Sequence, residues 1–242
     1  MDFQEFQAIF TQALSKNAIS LPSAQAQQTF YHFTAHLLAV NRTTNLTAIR
    51  DETDFIYKNL ADSLTVSAHI PQNATVLDLG CGPGFPSIPL AIARPDLKIT
   101  ALDSTAKKIA FVQSCIDLLG LGNLQAHSGR AEDPILAQKI GKFDVVTGRA
   151  VARLNILCEL CLPYTKVGGT FIAMKGAKGD EELGEATKAI QTLGGALLKT
   201  NRLELKLHDD SLEQRTLIEI KKYKPTPAGY PRAYAVISKK PL

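Results

Sequence analysis

The sequence predicts an α/β protein, a mostly parallel sheet with helices on both faces, preceded by a small helical extension. Three observations carry this reading. From residue 74 onward, short β-rich runs alternate with helical stretches, which is the pattern of a parallel sheet. The first of those runs ends in a loop with three glycines in five positions, Gly80, Gly82 and Gly84. Before residue 70, apolar residues recur at three-and-four spacing, the period of a helix.

Residues 1–70 hold three such stretches, "FQEFQAIFTQAL", "AQQTFYHFTAHLLAVN" and "ETDFIYKNLADSLTVSAHI". The cap and breaker residues "SLPS" and "NRTTNLT" separate them. Five strands are expected next, in "ATVLDL", "KITALD", "LQAHSG", "FDVVTG" and "TFIAMK". Helices are expected over 86–94, 105–120, 131–140, 153–164 and 180–192. Two more strands, near 196–207 and 214–222, close the sheet as an antiparallel pair. The chain thus divides into a helical cap (1–70), a sheet domain (71–224) and a basic C-terminal tail (225–242).

Composition excludes several classes. A charged fraction of 21% with no apolar run long enough to span a bilayer reads as an ordinary soluble protein. The first residues are acidic where an export signal needs basic ones, so the expected place is the cytoplasm. Four cysteines do not make a disulfide framework, and the Cys158/Cys161 pair has no second pair to complete a zinc site. His32 and His36 stand one helical turn apart without the glutamate of a metalloprotease motif. No clustering of ligands implies a metal. The net charge is +4, and from Lys221 to Leu242 there are six basic residues and no acid. These are Lys221, Lys222, Lys224, Arg232, Lys239 and Lys240, interleaved with Tyr223, Tyr230 and Tyr234. That mixture suits phosphate pairing and base stacking; equally, it suits a solvated terminus.

Glycines after a first strand let the backbone take positive φ and let a ligand lie against bare peptide. Two nucleoside cofactors compete for such a loop. A dinucleotide fingerprint needs its third glycine one place later than Gly84, where Phe85 stands instead. S-adenosylmethionine carries an ammonium and a sulfonium, which Asp78 at the strand end could offset. Asp103 ends the second strand 19 residues beyond Gly84, where a carboxylate can accept from both hydroxyls of a ribose. It suits either cofactor. In "SGRAED", residues 128–133, the backbone of Ala131 and Glu132 is placed to read an adenine edge.

Several stretches together resemble the RsmG family, also called glucose-inhibited division protein B. They are "NLTAIRDETDFIYKNLADSL", "DLGCGPGFPSIPLAI", "LDSTAKKIAFV", "GRAED", "FDVVTGRAVARLNILCEL" and "GGTFIAMKG". The resemblance runs in order from about Asn41 to Leu242. It implies a class I S-adenosylmethionine-dependent methyltransferase with a helical N-terminal extension, acting on guanine N7 in the 530 loop of 16S ribosomal RNA. It implies that Gly80, Phe85, Asp103, Ser104, Thr105, Ala131, Glu132 and Arg149 surround the cofactor, with Asp78 and Gly82 in the same loop. The sequence departs from the family pattern at Cys81 and Ser87, and at Ala235 and Ile237 near the end.

The chemistry points the same way. Guanine N7 has a lone pair and no proton to lose, so its methylation needs alignment more than a general base. After the fourth strand, "TGRAVARLN" has no Pro-Pro-aromatic run to hold an exocyclic amine, and neither a cysteine nor a histidine. Arg149 opens that stretch. An arginine on guanine O6 and N7 would block the reacting lone pair, so Arg149 is expected on the cofactor carboxylate or a flanking phosphate. Lys175 is expected at RNA phosphate. A nicotinamide oxidoreductase is disfavoured by Phe85. A small-molecule methyltransferase leaves the basic tail unexplained, and a non-catalytic RNA-binding module leaves the glycine loop unexplained. The expected partner is 16S rRNA or the small ribosomal subunit, with no membrane and no metal.

Overall fold

The computed structural model describes residues 1–242. Helix α1 (Phe3–Lys16) starts at Asp2, whose carboxylate accepts from Glu5 N–H, and buries Phe6, Phe10, Ala13 and Leu14. Helix α2 (Ala24–Thr44) is capped by Ser23 and ends at Asn45, with φ +49°. The stretch read as one further helix is broken in form. Helix α3 (Glu52–Phe55) runs through a π-helical stretch (Ile56–Ala61) into α4 (Asp62–Leu64), and a 3-10 turn follows at Ser67–His69. Three-and-four spacing survives a single widened turn, so the periodicity could not reveal it.

Strands β1 (Thr75–Leu79), β2 (Lys98–Asp103), β3 (Leu124–Ser128), β4 (Phe143–Arg149) and β5 (Thr165–Lys175) alternate with helices. The helices are α5 (Ser87–Ala93), α6 (Ala106–Leu119), α7 (Pro134–Ile140), α8 (Leu154–Cys161) and α9 (Gly179–Thr192). Helix α7 starts three residues later than expected because Asp133 caps it, accepting from Ile135 and Leu136 N–H. Strands β6 (Gly195–Lys206) and β7 (Leu212–Lys222) pair antiparallel. The sheet order is β3-β2-β1-β4-β5-β7-β6, with β1 to β5 parallel and β7 reversed against β5. This is the expected seven-stranded, mostly parallel sheet. Between β1 and β4 the strand order reverses, and in open sheets of this kind ligands bind at the carboxyl ends there.

Alternation along the strands sends side chains to two cores. Val76, Ile99, Val145 and Ile172 meet the aromatic residues Phe6, Phe10, Phe30 and Phe33, so the N-terminal helices share one core with the sheet. Leu77, Val146, Phe171 and Ile220 meet α8 and α9 on the other face.

The basic C-terminal residues depart from their expected role. Lys222 is 1% exposed, and its Nζ donates to Leu193 O and Thr226 Oγ1. Burial lowers its pKa to about 8. Arg232 is held by the fully buried Glu159. A last helix, α10 (Tyr234–Lys239), inserts Ile237 into the core beside α8. Residues 225–242 therefore fold back on the sheet domain; Lys222 is enclosed, and the half-buried Arg232 is committed to Glu159.

Candidate active site

The glycine loop turns where β1 meets β2. Gly80, at φ +74°, donates its N–H to Leu102 O at 2.7 Å, and a Cβ there would run into the Val151 side chain. Gly84, at φ +101°, lies against Ile88 of α5 in the same way. Close helix-to-loop packing is thus achieved one place earlier than in a dinucleotide loop.

Asp103 stitches this loop to the next. Its Oδ2 accepts from Gly82 N–H at 2.9 Å and its Oδ1 from Thr105 N–H at 2.8 Å. Each carboxylate oxygen keeps a further lone pair for a ligand. Asp103 stands in the wall of a pocket of about 380 Å³ with Gly80, Ser104, Thr105, Ala131 and Glu132. The size and mixed lining are those of a small-ligand site. Tyr164 OH donates to Ala131 O, which fixes that side of the pocket, and burial pushes the Tyr164 phenol up to about 12.

Four expected residues, Asp78, Phe85, Gly82 and Arg149, do not line this pocket. Asp78, expected beside a charged ligand, is fully buried on the side of the loop facing α5. Its Oδ2 accepts from Ser87 N–H at 2.9 Å and its Oδ1 from the Thr147 hydroxyl at 3.3 Å. Burial raises its pKa to about 6. Its place is behind the loop because strand alternation puts it on the same face as Val76. Phe85 is also buried, 5.7 Å from Phe33 and 5.7 Å from Phe55 between ring centroids. Gly82 reaches the pocket only through Asp103.

Arg149 ends β4 and lies 5.2 Å above the Phe85 ring. Its Nη1 donates to Asp62 Oδ2 at 3.0 Å and to Lys58 O at 3.4 Å, and its Nη2 to Asn59 Oδ1 at 3.0 Å. The π-helical stretch and the first residue of α4, directly after it, present all three acceptors to one guanidinium. Arg149 belongs to a second cleft, of about 540 Å³, rather than to the Asp103 pocket. The two share a wall made by Ala150 and Val151. Ala150 holds a left-handed φ of +55° at that junction, which costs an L residue about 1 kcal/mol.

The second cleft is rich in paired cations. Arg215 donates through Nε to Asp62 Oδ1 at 2.8 Å and lies 2.7 Å from Glu213. Lys175 contacts Glu182 at 2.8 Å and donates to Ala152 O. Tyr234, which lines the first pocket, is read from the sequence only as part of the basic, aromatic tail, and Asn59, Asp62 and Arg215 are absent from the sequence reading. Distance along the chain hid them, since Asp62 and Arg149 come from different ends of the fold. The cysteines are all buried, and burial pushes the Cys81 thiol well up, so none is a ready nucleophile. No three His, Cys, Asp or Glu side chains group at metal-binding spacing, and no helix is long and apolar enough to cross a membrane.

A sheet with one reversed strand, carrying a carboxylate-edged pocket at its switch point and a glycine loop packed for no pyrophosphate, defines a class I S-adenosylmethionine-dependent methyltransferase. Comparison with known proteins narrows this. The chain belongs to the GidB family, described as rRNA small subunit methyltransferase G, whose model matches residues 26–214. It is 44% identical over 239 residues to "Ribosomal RNA small subunit methyltransferase G" of Lactobacillus acidophilus, covering 96% of this chain and 98% of that one. It is 46% identical over 211 residues to the protein of the same name in Desulforamulus reducens, covering 85% and 86%. Among solved structures, a precorrin-6y C5,15-methyltransferase from Geobacter metallireducens has the same fold, with a TM-score of 0.53. That likeness covers 75% of this chain and 92% of the other at 13% identity.

Proposed function

We propose that the chain methylates guanine N7 in 16S rRNA of the small ribosomal subunit, in the cytoplasm. In this reading the cofactor nucleoside lies in the Asp103 pocket and the acceptor base enters the Arg149 cleft. The observation that carries it is the wall the two cavities share at Ala150 and Val151. A methyl group has to pass between two ligands over a short distance, and a common wall brings the ligands together there.

When bound, S-adenosylmethionine supplies a methyl group on a sulfonium that is electrophilic without acid or base. Asp103 accepts from the ribose hydroxyls while its loop contacts hold it still. Gly80 lets the wall residue Val151 pack directly on the loop backbone, and Ser104, Thr105, Ala131 and Glu132 edge the purine. Three hydrogen bonds already engage Arg149, which leaves two of its five N–H donors for the methionine carboxylate or an RNA phosphate. No residue has to take a proton, which agrees with a cleft whose carboxylates are all committed to cations. Lys58, paired with Asp54, and Arg153, paired with Glu181 and Glu185, line the same cleft and would exchange those carboxylates for flanking phosphates.

The test is incubation with methyl-labelled S-adenosylmethionine and either intact small subunits or stripped 16S rRNA, followed by nucleoside mass spectrometry. Label in 7-methylguanosine is expected. Label in another nucleoside, or in none, would overturn the reading.

A further inference from the structure

Tyr234 is the one aromatic residue in the wall of the Asp103 pocket. It comes from the C-terminal segment, far in sequence from the glycine loop, and shares the pocket wall with the apolar Leu160 and Val151 and with the polar loops of Asp103 and Glu132. Tyr234 remains 38% exposed although it lines the pocket.

The segment that carries it is fastened on both sides. Two residues before it, Arg232 donates through its backbone N–H and Nε to Glu159 Oε1 at 2.9 and 2.8 Å. Its Nη2 donates to Glu159 Oε2 at 2.6 Å. Glu159 is fully buried in α8. Three residues after Tyr234, Ile237 is fully buried in the core. Burying a carboxylate is costly unless it is fully hydrogen-bonded, and here it is, by one arginine. Such a fork fixes direction as well as distance. Its effect is to set the path of the chain just before the one aromatic ring that reaches the pocket.

We propose that Tyr234 packs its ring on the purine of the cofactor nucleoside, and that Arg232 with Glu159 is the positioning pair that holds it there. The proposal rests on the assignment of this pocket to the cofactor. A flat, amphipathic ring suits a purine face, and the contact needs no hydrogen bond from the hydroxyl.

The measurement is calorimetric titration of the full-length protein with S-adenosylhomocysteine. Tyr234→Phe should bind within about twofold of the parent, and Tyr234→Ala about tenfold more weakly. Arg232→Gln should weaken binding in the same direction, with partial rescue by Arg232→Lys. Because the chain has no tryptophan, Tyr234→Trp gives a single reporter at the site. Its emission should change saturably with S-adenosylhomocysteine. Parent binding with an unaltered affinity in Tyr234→Ala, or silent emission in Tyr234→Trp, would overturn the role of Tyr234. Failure of the parent itself to bind would overturn the pocket assignment and this contact with it.

Discussion

Asp78 and Asp103 end neighbouring strands, yet one is sealed behind the glycine loop and the other stands in the pocket. Burial raises the Asp78 carboxyl from an ordinary 3.8 to about 6. Between those values the folded state keeps the proton and the unfolded state has lost it. Stability therefore falls as pH rises through the window, by up to about 3 kcal/mol, and that loss persists above it. Asp78→Asn can still accept from Ser87 N–H and can donate to the Thr147 hydroxyl. It should be more stable than the parent at neutral pH and equal to it near about pH 3.5, as read from urea midpoints. A parent stability that does not change across the window would contradict this. For Arg149→Lys, one ammonium cannot serve Asp62 and Asn59 together while lying flat on Phe85. Methyl transfer to rRNA should fall at least about tenfold in kcat/KM, and an unchanged value would release Arg149 from its role. Gly80 and Asp103 are legible in the sequence because their signals are local: a backbone needing positive φ and a carboxylate at a fixed spacing. Asp62 has no such signal, since its partner comes from another part of the chain.

At the scale of elements, the π-helical stretch decides what the N-terminal helices contribute. One widened turn sets Asn59 and Asp62 toward the sheet, and Asp62 then joins Arg149 of β4 to Arg215 of β7. Extra-residue turns of this kind are frequent at functional sites. Asp62→Asn keeps the shape and removes the shared charge. It should lower stability by about 1.5–3 kcal/mol in chemical denaturation, with a larger effect on rRNA methylation than on S-adenosylhomocysteine affinity. Equal loss of both would mean that the two cavities fail as one unit. The alternation of strands and helices is readable from apolar period alone, and the strands lie close to their expected places. The widened turn is not readable, because its apolar residues keep the same spacing as a regular helix.

At the scale of the whole molecule, charge and chain path separate. Lys224, Lys239 and Lys240 remain exposed and Lys221 partly so, whereas Lys222 is enclosed. Neutralising Lys221 and Lys224 should flatten the salt dependence of RNA binding by up to about 1.4 in log–log slope. Lys222→Met should leave that slope alone. An equal effect of the two changes would show that enclosure does not matter to RNA contact. Basic composition could not distinguish these lysines, since burial is a property of where β7 runs. That path also bears on how the protein is made. β7 lies between β5 and β6, although β6 is made first. A ribosome that has just released β6 has released a strand with outward Leu197 and Leu198 whose only sheet neighbour does not yet exist. At about 5–20 residues per second the interval before β7 emerges is on the order of a second, during which β5 also shows a bare edge. A nascent chain in that interval is sticky and needs shelter. Messages truncated before residue 212 should yield aggregates rather than a smaller working enzyme.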